Sequence, residues 1–264
     1  DGKSYQHFVV QGGTTDGTYL YACLEDQKAP SGISKDEWEK YYKATSQHTT
    51  IIVKIEIATM KMVAKSKMLK LDHSNDMAYN PKTNELIVVH CGMEGERHKI
   101  LSFIDPETLT VKRTCENAFE GGYAATYNAN KDIFVAAGGG GYKYYNGNYQ
   151  NADGSYRNRL TRYNDTKYSS FTTGHTTQGI DCDDDYIYAV LTGDGEDVSA
   201  GWTDYTVTTV LDRSEAPSAS HMGGVTGRIR RNADGTWSYY NVMVQGKSPA
   251  EAQETDRLSV KLFK

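Results

Sequence analysis

Three histidines and a set of amides carry the chemistry that this sequence could perform. His73 precedes Asn75 by two residues, His175 precedes Gln178 by three, and His221 stands alone further on. Imidazoles drawn together from separate parts of a chain can hold a transition metal, with a Gln oxygen as an added ligand. The plainer chemistry is hydrogen bonding. Gln11, Asn75 and Gln178 are amides, which donate and accept at once, as hydroxyl-rich ligands require. Tyr123 adds a phenol, and Glu215 is the one acidic candidate beside them. Two acidic runs invite a calcium reading: DCDDDY from Asp181 to Tyr186, and GDGED from Gly193 to Asp197.

The elements that must position these residues come from a repeat. QGGTTDGTYLY, Gln11 to Tyr21, aligns without a gap with QGIDCDDDYIY, Gln178 to Tyr188. Weaker copies begin at Asn75 (NDMAYNPKTNELIVV) and Tyr123 (YAATYNANKDIFVAA). Each reads as a strand, a tight polar turn and a second strand, with Asp16-Gly17 a strong hairpin signal. TIIVKIEI, Thr50 to Ile57, alternates with a period of two and predicts a half-buried strand. Between Asp26 and Thr50, SKDEWEKYYKAT places Ser34 and Glu37 at capping-box spacing and predicts a short inserted helix. A fifth, divergent unit has VTGRIRR and TWSYYNVMV around Asp234-Gly235, then LSVKLFK as the last strand. Gln11 to Gln178 is 167 residues over three units, so five units of about 53 fill 264 residues.

Composition narrows the class. With 25 Gly, 20 Tyr and only 5 Pro the chain suits an all-β protein. Net charge is −5 and no basic cluster exceeds RIRR, Arg228 to Arg231, which counts against nucleic acid as a partner. No apolar run approaches the ~18 residues of a membrane span. The chain starts at Asp1 without a signal peptide; an exported, secreted or cell-surface protein whose leader has been removed is expected. Cys23, Cys91, Cys115 and Cys182 form no C-x-x-C pair and read as small buried residues.

Repeated four-stranded units of this length resemble the blades of a five-bladed β-propeller, across nearly the whole chain. The resemblance implies one domain, residues 1–264, with Ser4 to Val10 pairing against Leu258 to Phe263 to close the last blade. In such a blade the long segments 26–49, 138–158, 192–205 and 246–256 connect second to third strands and share one face. Gln11, Asn75, Tyr123 and Gln178, with Glu215 or His221 in the fifth unit, start the inner strands on that face. Asp76, one residue on from Asn75, should point away from the channel by alternation. Trp38, Tyr41, Tyr42, Tyr142, Tyr144, Tyr145, Tyr149 and Trp202 fall in these insertions, where exposed rings can stack on sugars.

A cluster of His73, His175, His221 and Gln178 resembles, in residue types, the metal site of propeller-type oligogalacturonate lyases. Five-bladed arabinan hydrolases share the shape but need two channel carboxylates, and five-bladed glutaminyl cyclases show no matching site pattern. NADGTW and NADGSY are similar to the Asp-box turns of sialidases but lack the full pattern. The expected function is an exported, monomeric ligand-binding propeller. It holds a glycan or small polar molecule at the channel mouth through Gln11, Asn75, Tyr123, Gln178, His73, His175, His221 and Glu215, with no cofactor. The alternative is a carbohydrate-active enzyme, a metal-assisted polysaccharide lyase or a glycoside hydrolase. The same ring of amides could instead bind itself and channel water.

Overall fold

The computed structural model describes residues 8–26, 34, 36–37, 40, 43–92, 97–138, 141–147, 151–163, 171–172, 177–191, 196–201, 207–212, 230–231, 237–245 and 257–263. The first antiparallel sheet runs β1 (Phe8–Thr15), β2 (Tyr19–Asp26), β3 (Thr49–Glu56), β4 (Lys61–Lys65). The second runs β5 (Asp76–Asn80), β6 (Glu85–Val89), β7 (Leu101–Asp105), β8 (Thr110–Cys115). The third holds β9 (Ala124–Asn128), β10 (Ile133–Gly138), β11 (Gly141–Asn146) and β12 (Phe171–Thr172). The fourth holds β13 (Thr177–Cys182), β14 (Tyr186–Leu191), β15 (Glu196–Gly201) and β16 (Val207–Asp212). Among the described residues the last sheet has three strands, β17 (Arg230–Arg231), β18 (Trp237–Gln245) and β19 (Arg257–Phe263).

The repeat has a physical cause at its turns. The residue in its sixth place is always Asp or Asn, and its Oδ1 accepts a backbone N–H just beyond. Asp16 takes Thr18 N, Asn80 takes Lys82 N, Asn128 takes Lys131 N and Asp183 takes Asp185 N, each at 2.8 Å. The short side chain thus closes a turn that the backbone would otherwise have to close itself. The turns end in left-handed residues: Gly17 (φ 95°), Asn84 (φ 50°) and Asp132 (φ 55°). The capping box also forms. Ser34 N and Oγ donate to Glu37 Oε2 at 2.8 and 2.7 Å, and Glu37 N donates to Ser34 Oγ at 3.3 Å. Asp36, Glu37, Lys40 and Lys43 are helical.

Sheets stack face to face, so both faces of an inner strand are buried and its sequence loses alternation. Tyr21, Cys23 and Ile52 of the first sheet pack on Met77, Leu86, Val88 and Ile104 of the second. Ile87, Val89 and Phe103 pack on Ala125, Tyr127, Phe134 and Tyr145 of the third. Val135, Tyr142 and Tyr144 meet Ile180, Cys182 and Ile187 of the fourth. The outer face of the first sheet carries its own cluster, Val10, Leu20, Ala22, Leu24, Val53 and Ile55, and β18 lies against β1. All four cysteines are free; three are buried and Cys91 is half-buried.

Three strand assignments differ from expectation. Phe8 to Val10 do not form a separate closing strand; they begin β1 and pair with Asp26, Glu25 and Leu24. Residues 1–7, and with them the rest of the expected pairing to Leu258–Phe263, lie outside the described residues. Gly141–Asn146, expected in a loop, is β11, turned back on β10 by the pair Gly138 and Gly141. Its Tyr142, Tyr144 and Tyr145 are core residues at 0, 0 and 1% exposure rather than stacking platforms. Burial of large rings outweighed the local Gly and Asn turn signal. Likewise Glu196 and Asp197 of GDGED open β15 and are not loop residues. Trp38, Tyr41, Tyr42, Tyr149 and Trp202 lie outside the described residues.

Candidate functional site

The inner strands β1, β5, β9 and β13 pack on one another, and both Gln-Gly copies are bulged. Val10 pairs with Leu24 and Gly13 with Ala22, so Gln11 and Gly12 together oppose Cys23. In β13, Thr177 pairs with Leu191 and Gly179 with Val190, leaving Gln178 as the extra residue. A bulge re-aims the side chain it carries. Gln11 is 7% exposed, and its Nε2 donates to Glu25 Oε2 at 2.8 Å.

Glu25 is the centre of a cluster that the sequence reading missed. Its side chain is fully buried. Oε1 accepts from His48 Nδ1 at 2.6 Å, and Oε2 faces His73 Nδ1 at 3.0 Å. Glu25 lies near the end of β2, His48 leads into β3, and His73 leads into β5. The cluster therefore sits where the second-to-third-strand connection meets the approach to an inner strand. His48 is 1% exposed, while the His73 side chain keeps 15%. One signal was available: Glu25 shares the alternation of Tyr21 and Cys23, which places a carboxylate on a buried face. Cys91 is close enough to feel Glu25. Burial first, then that carboxylate, pushes its thiol up to about 12, so it stays protonated and is no nucleophile.

Asn75 is buried and donates from Nδ2 to the Tyr123 carbonyl at 2.6 Å, joining the second and third sheets. Tyr123 itself is 38% exposed. Ser74 beside them accepts Gly12 N at 3.1 Å through its carbonyl, and its Oγ meets Thr50 Oγ1 at 3.0 Å. Gln178 is described only in its backbone. His175, His221 and Glu215 lie outside the described residues. Among the described residues no three His, Cys, Asp or Glu side chains form a group able to hold a metal; His73 is instead bound to Glu25.

Asp76 reverses its expectation. Its carboxylate points inward and accepts Met77 N at 2.9 Å, Ala125 N at 2.9 Å and Ile180 N at 3.1 Å, so one side chain ties together β5, β9 and β13. The equivalent places in the other copies are Gly12, Ala124 and Gly179, whose small size leaves room for it. Full burial drives the Asp76 pKa well up and Asp181 adds to this, against the opposing pull of the three N–H donors.

A second network resembles a catalytic triad and is sealed. Asp72 Oδ2 meets His90 Nδ1 at 2.9 Å, and His90 Nε2 meets Ser102 Oγ at 2.8 Å. Ser102 is 0% exposed and its Oγ is also bonded to Thr114 Oγ1 at 2.8 Å, so no substrate reaches it. Burial would raise the Asp72 pKa, but hydrogen bonds from His90 and a bidentate Arg97 at 2.8 Å hold it below the usual range. The network stitches β6, β7 and β8 to the linker before β5.

At the opposite ends of the inner strands a polar cleft of about 160 Å³ is lined by Thr15, Asp16, Tyr79, Thr126, Asp181 and Cys182, among others. Its carboxylates are already used. Asp16 accepts Tyr21 Oη at 2.8 Å, and Asp181 accepts Cys182 N at 2.8 Å. The DCDDDY run serves the turns: Asp184 accepts from Asn128 Nδ2 at 3.1 Å and Asn130 Nδ2 at 2.7 Å.

The fold is similar to that of a solved structure. The chain is similar to the Myxococcus xanthus glutaminyl cyclase, with a TM-score of 0.54 at 13% identity, over 98% of this chain and 93% of that one. It is less similar to the WD40 repeats of RRP9, at TM-score 0.41 and 10% identity, over 79% of this chain and 52% of that one, about half its length. A nidogen/laminin complex matches at TM-score 0.46 and 8% identity, over 77% of this chain and 80% of that one. No protein-family model matches the sequence, and no curated protein does. The chain is a β-propeller. Among the described residues no helix is long and apolar enough to cross a membrane.

Proposed function

We propose that the chain is a five-bladed, single-domain, ligand-binding propeller spanning residues 1–264, exported and monomeric. It holds a glycan or another small polar molecule where Gln11, His73, Asn75 and Tyr123 gather. The observation that carries this reading is the pair of polar groups gathered on one buried carboxylate: Gln11 Nε2 donates to Glu25 Oε2 at 2.8 Å, His73 Nδ1 lies 3.0 Å from the same oxygen, and His73 keeps an exposed edge. Preset polar groups on a rigid scaffold lower the ordering cost of binding. Gln178, His175, His221 and Glu215 complete the proposed mouth. The test is an array of neutral and acidic glycans probed with wild type and His73→Ala. Binding reduced at least tenfold in the variant supports the site; a bound glycan whose affinity His73→Ala leaves unchanged removes it.

A second reading, an enzyme of the lyase type, is favoured by the same contact. A carboxylate on one imidazole nitrogen orients the other to take a proton. Hydrolysis of glycosides fits less well, because it needs two carboxylates flanking the bond, and Glu25 stands behind His73 and Gln11. Release of unsaturated sugar ends from pectic polysaccharide, lost in His73→Ala, would put the lyase first.

A further inference from the structure

The edge of the first sheet carries a surface unlike the rest of the chain. Among the described residues no strand pairs with the far side of β4. The chain beyond β4 keeps to β3: Lys61 pairs with Glu56, Lys65 with Val53, and Leu69 bridges Thr50. Residues 61–69 therefore form one continuous edge about 20 Å long, at ~3.4 Å per residue of β3. Lys61, Lys65, Lys67 and Lys70 are exposed along it. No acidic residue stands between Glu56 and Asp72, so this edge is basic in a chain of net charge −5. Met60, Val63 and Met68 are exposed beside the lysines, at 38, 51 and 45%. They are three of the five large hydrophobic side chains that the described residues leave exposed.

The second sheet shows that the fold does not require this surface. β4 and β8 are both bulged, with Val63 and Lys112 as the respective extra residues. Met60 and Leu109 each precede the edge strand at φ 54°, yet Leu109 is only 2% exposed. The same two backbone places thus hold a charge and a buried side chain in the second sheet, and two solvent-facing apolar groups in the first. Lysines on an edge strand guard against edge-to-edge pairing. Exposed Met and Val work against that guard, so it does not account for the strip.

We propose that this edge docks on the surface of an anionic lipid bilayer. The ammonium groups meet the acidic head groups while their stems lie along the interface, and Met60, Val63 and Met68 enter the boundary with the acyl chains. A rim one strand wide buries too little for a stable protein partner, and the bulge at Val63 interrupts the ladder that an added peptide strand would use. Residues 57–71 hold no aromatic ring on which a sugar could stack. A bilayer needs neither a matching shape nor a continuous ladder.

The experiment is flotation of the full chain with vesicles of phosphatidylcholine alone, and with vesicles of seven parts phosphatidylcholine to three parts phosphatidylserine. Binding should be at least roughly tenfold tighter on the acidic vesicles and should weaken as salt rises from about 0.1 to 0.5 M. The triple variant Lys61→Glu, Lys67→Glu, Lys70→Glu should lose it. The pair Val63→Ser, Met68→Ser should weaken it at least roughly threefold, which attraction by charge alone would not produce. No binding to the acidic vesicles, equal binding to both kinds, or full binding by the lysine variant overturns the proposal. Poly-glutamate bound as tightly as the acidic vesicles, with the apolar pair making no difference, assigns the strip to an acidic polymer and also overturns it. Should a variant fail to fold, the wild-type comparison of the two vesicles decides alone.

Discussion

Asp76 shows how far one side chain can be asked to serve. It satisfies backbone donors on two other sheets, so Asp76→Ala leaves two buried N–H groups unpaired and should cost about 3 kcal/mol or more, measured by urea unfolding. Its titration has the opposite sense to that of an ion-paired carboxylate. With a folded pKa raised above the unfolded value of about 3.9, the group favours the folded state most below that pH. That contribution is lost as pH rises through the folded pKa. The stability of wild type relative to the non-titrating Asp76→Asn should therefore fall as pH rises above about 4. A difference that is flat or grows with pH would mean that the three N–H donors prevail over burial. Asp72, held low by His90 and Arg97, contributes above about pH 4 and loses its contribution as pH falls through its folded pKa.

At the scale of strands, the two Gln-Gly copies look alike and behave differently. A Cβ on Gly12 would lie 2.2 Å from the Asp76 Cα, whereas one on Gly179 meets nothing nearer than 3.7 Å. Gly12→Ala must push β1 from β5 and strain the Gly12 N to Ser74 O bond, at about 3 kcal/mol or more. Gly179→Ala should stay within about 1 kcal/mol of wild type. Thermal melts of the two variants test this, and equal losses would refute the asymmetry. This pair also marks the limit of what the sequence discloses. Hairpins were legible because Asx turns and period-two patterns are local. The buried strand GYKYYN was not, because glycines and asparagines signal a turn while the rings that make it a strand pack on a neighbouring sheet. Gln11 and His73 could be picked out by type and place. Glu25 and His48, a strand and an insertion away, are brought to them only by tertiary packing. Asp76 defeats alternation because its place on the strand faces three sheets, not two.

For the molecule as a whole, a compact monomer of 264 residues should have a radius of gyration of about 18 Å. Small-angle scattering behind size exclusion gives this directly, and a value well above it would exclude the closed monomer. The second and third sheets each offer one face to their predecessor and one to their successor, so stability is distributed along the stack, not concentrated in one core. The centre is where that arrangement has its sharpest consequence. Among the described residues the Asp76 carboxylate joins β5, β9 and β13 at one point where the inner strands meet. The Glu25 cluster and the Asp16–Asp181 cleft lie toward opposite ends of these strands and present separate chemistries. An inhibitor, a crosslinker or a mutation applied to the Asp16–Asp181 side can be used without disturbing Glu25 and its neighbours, and each side is free to diverge under its own selection.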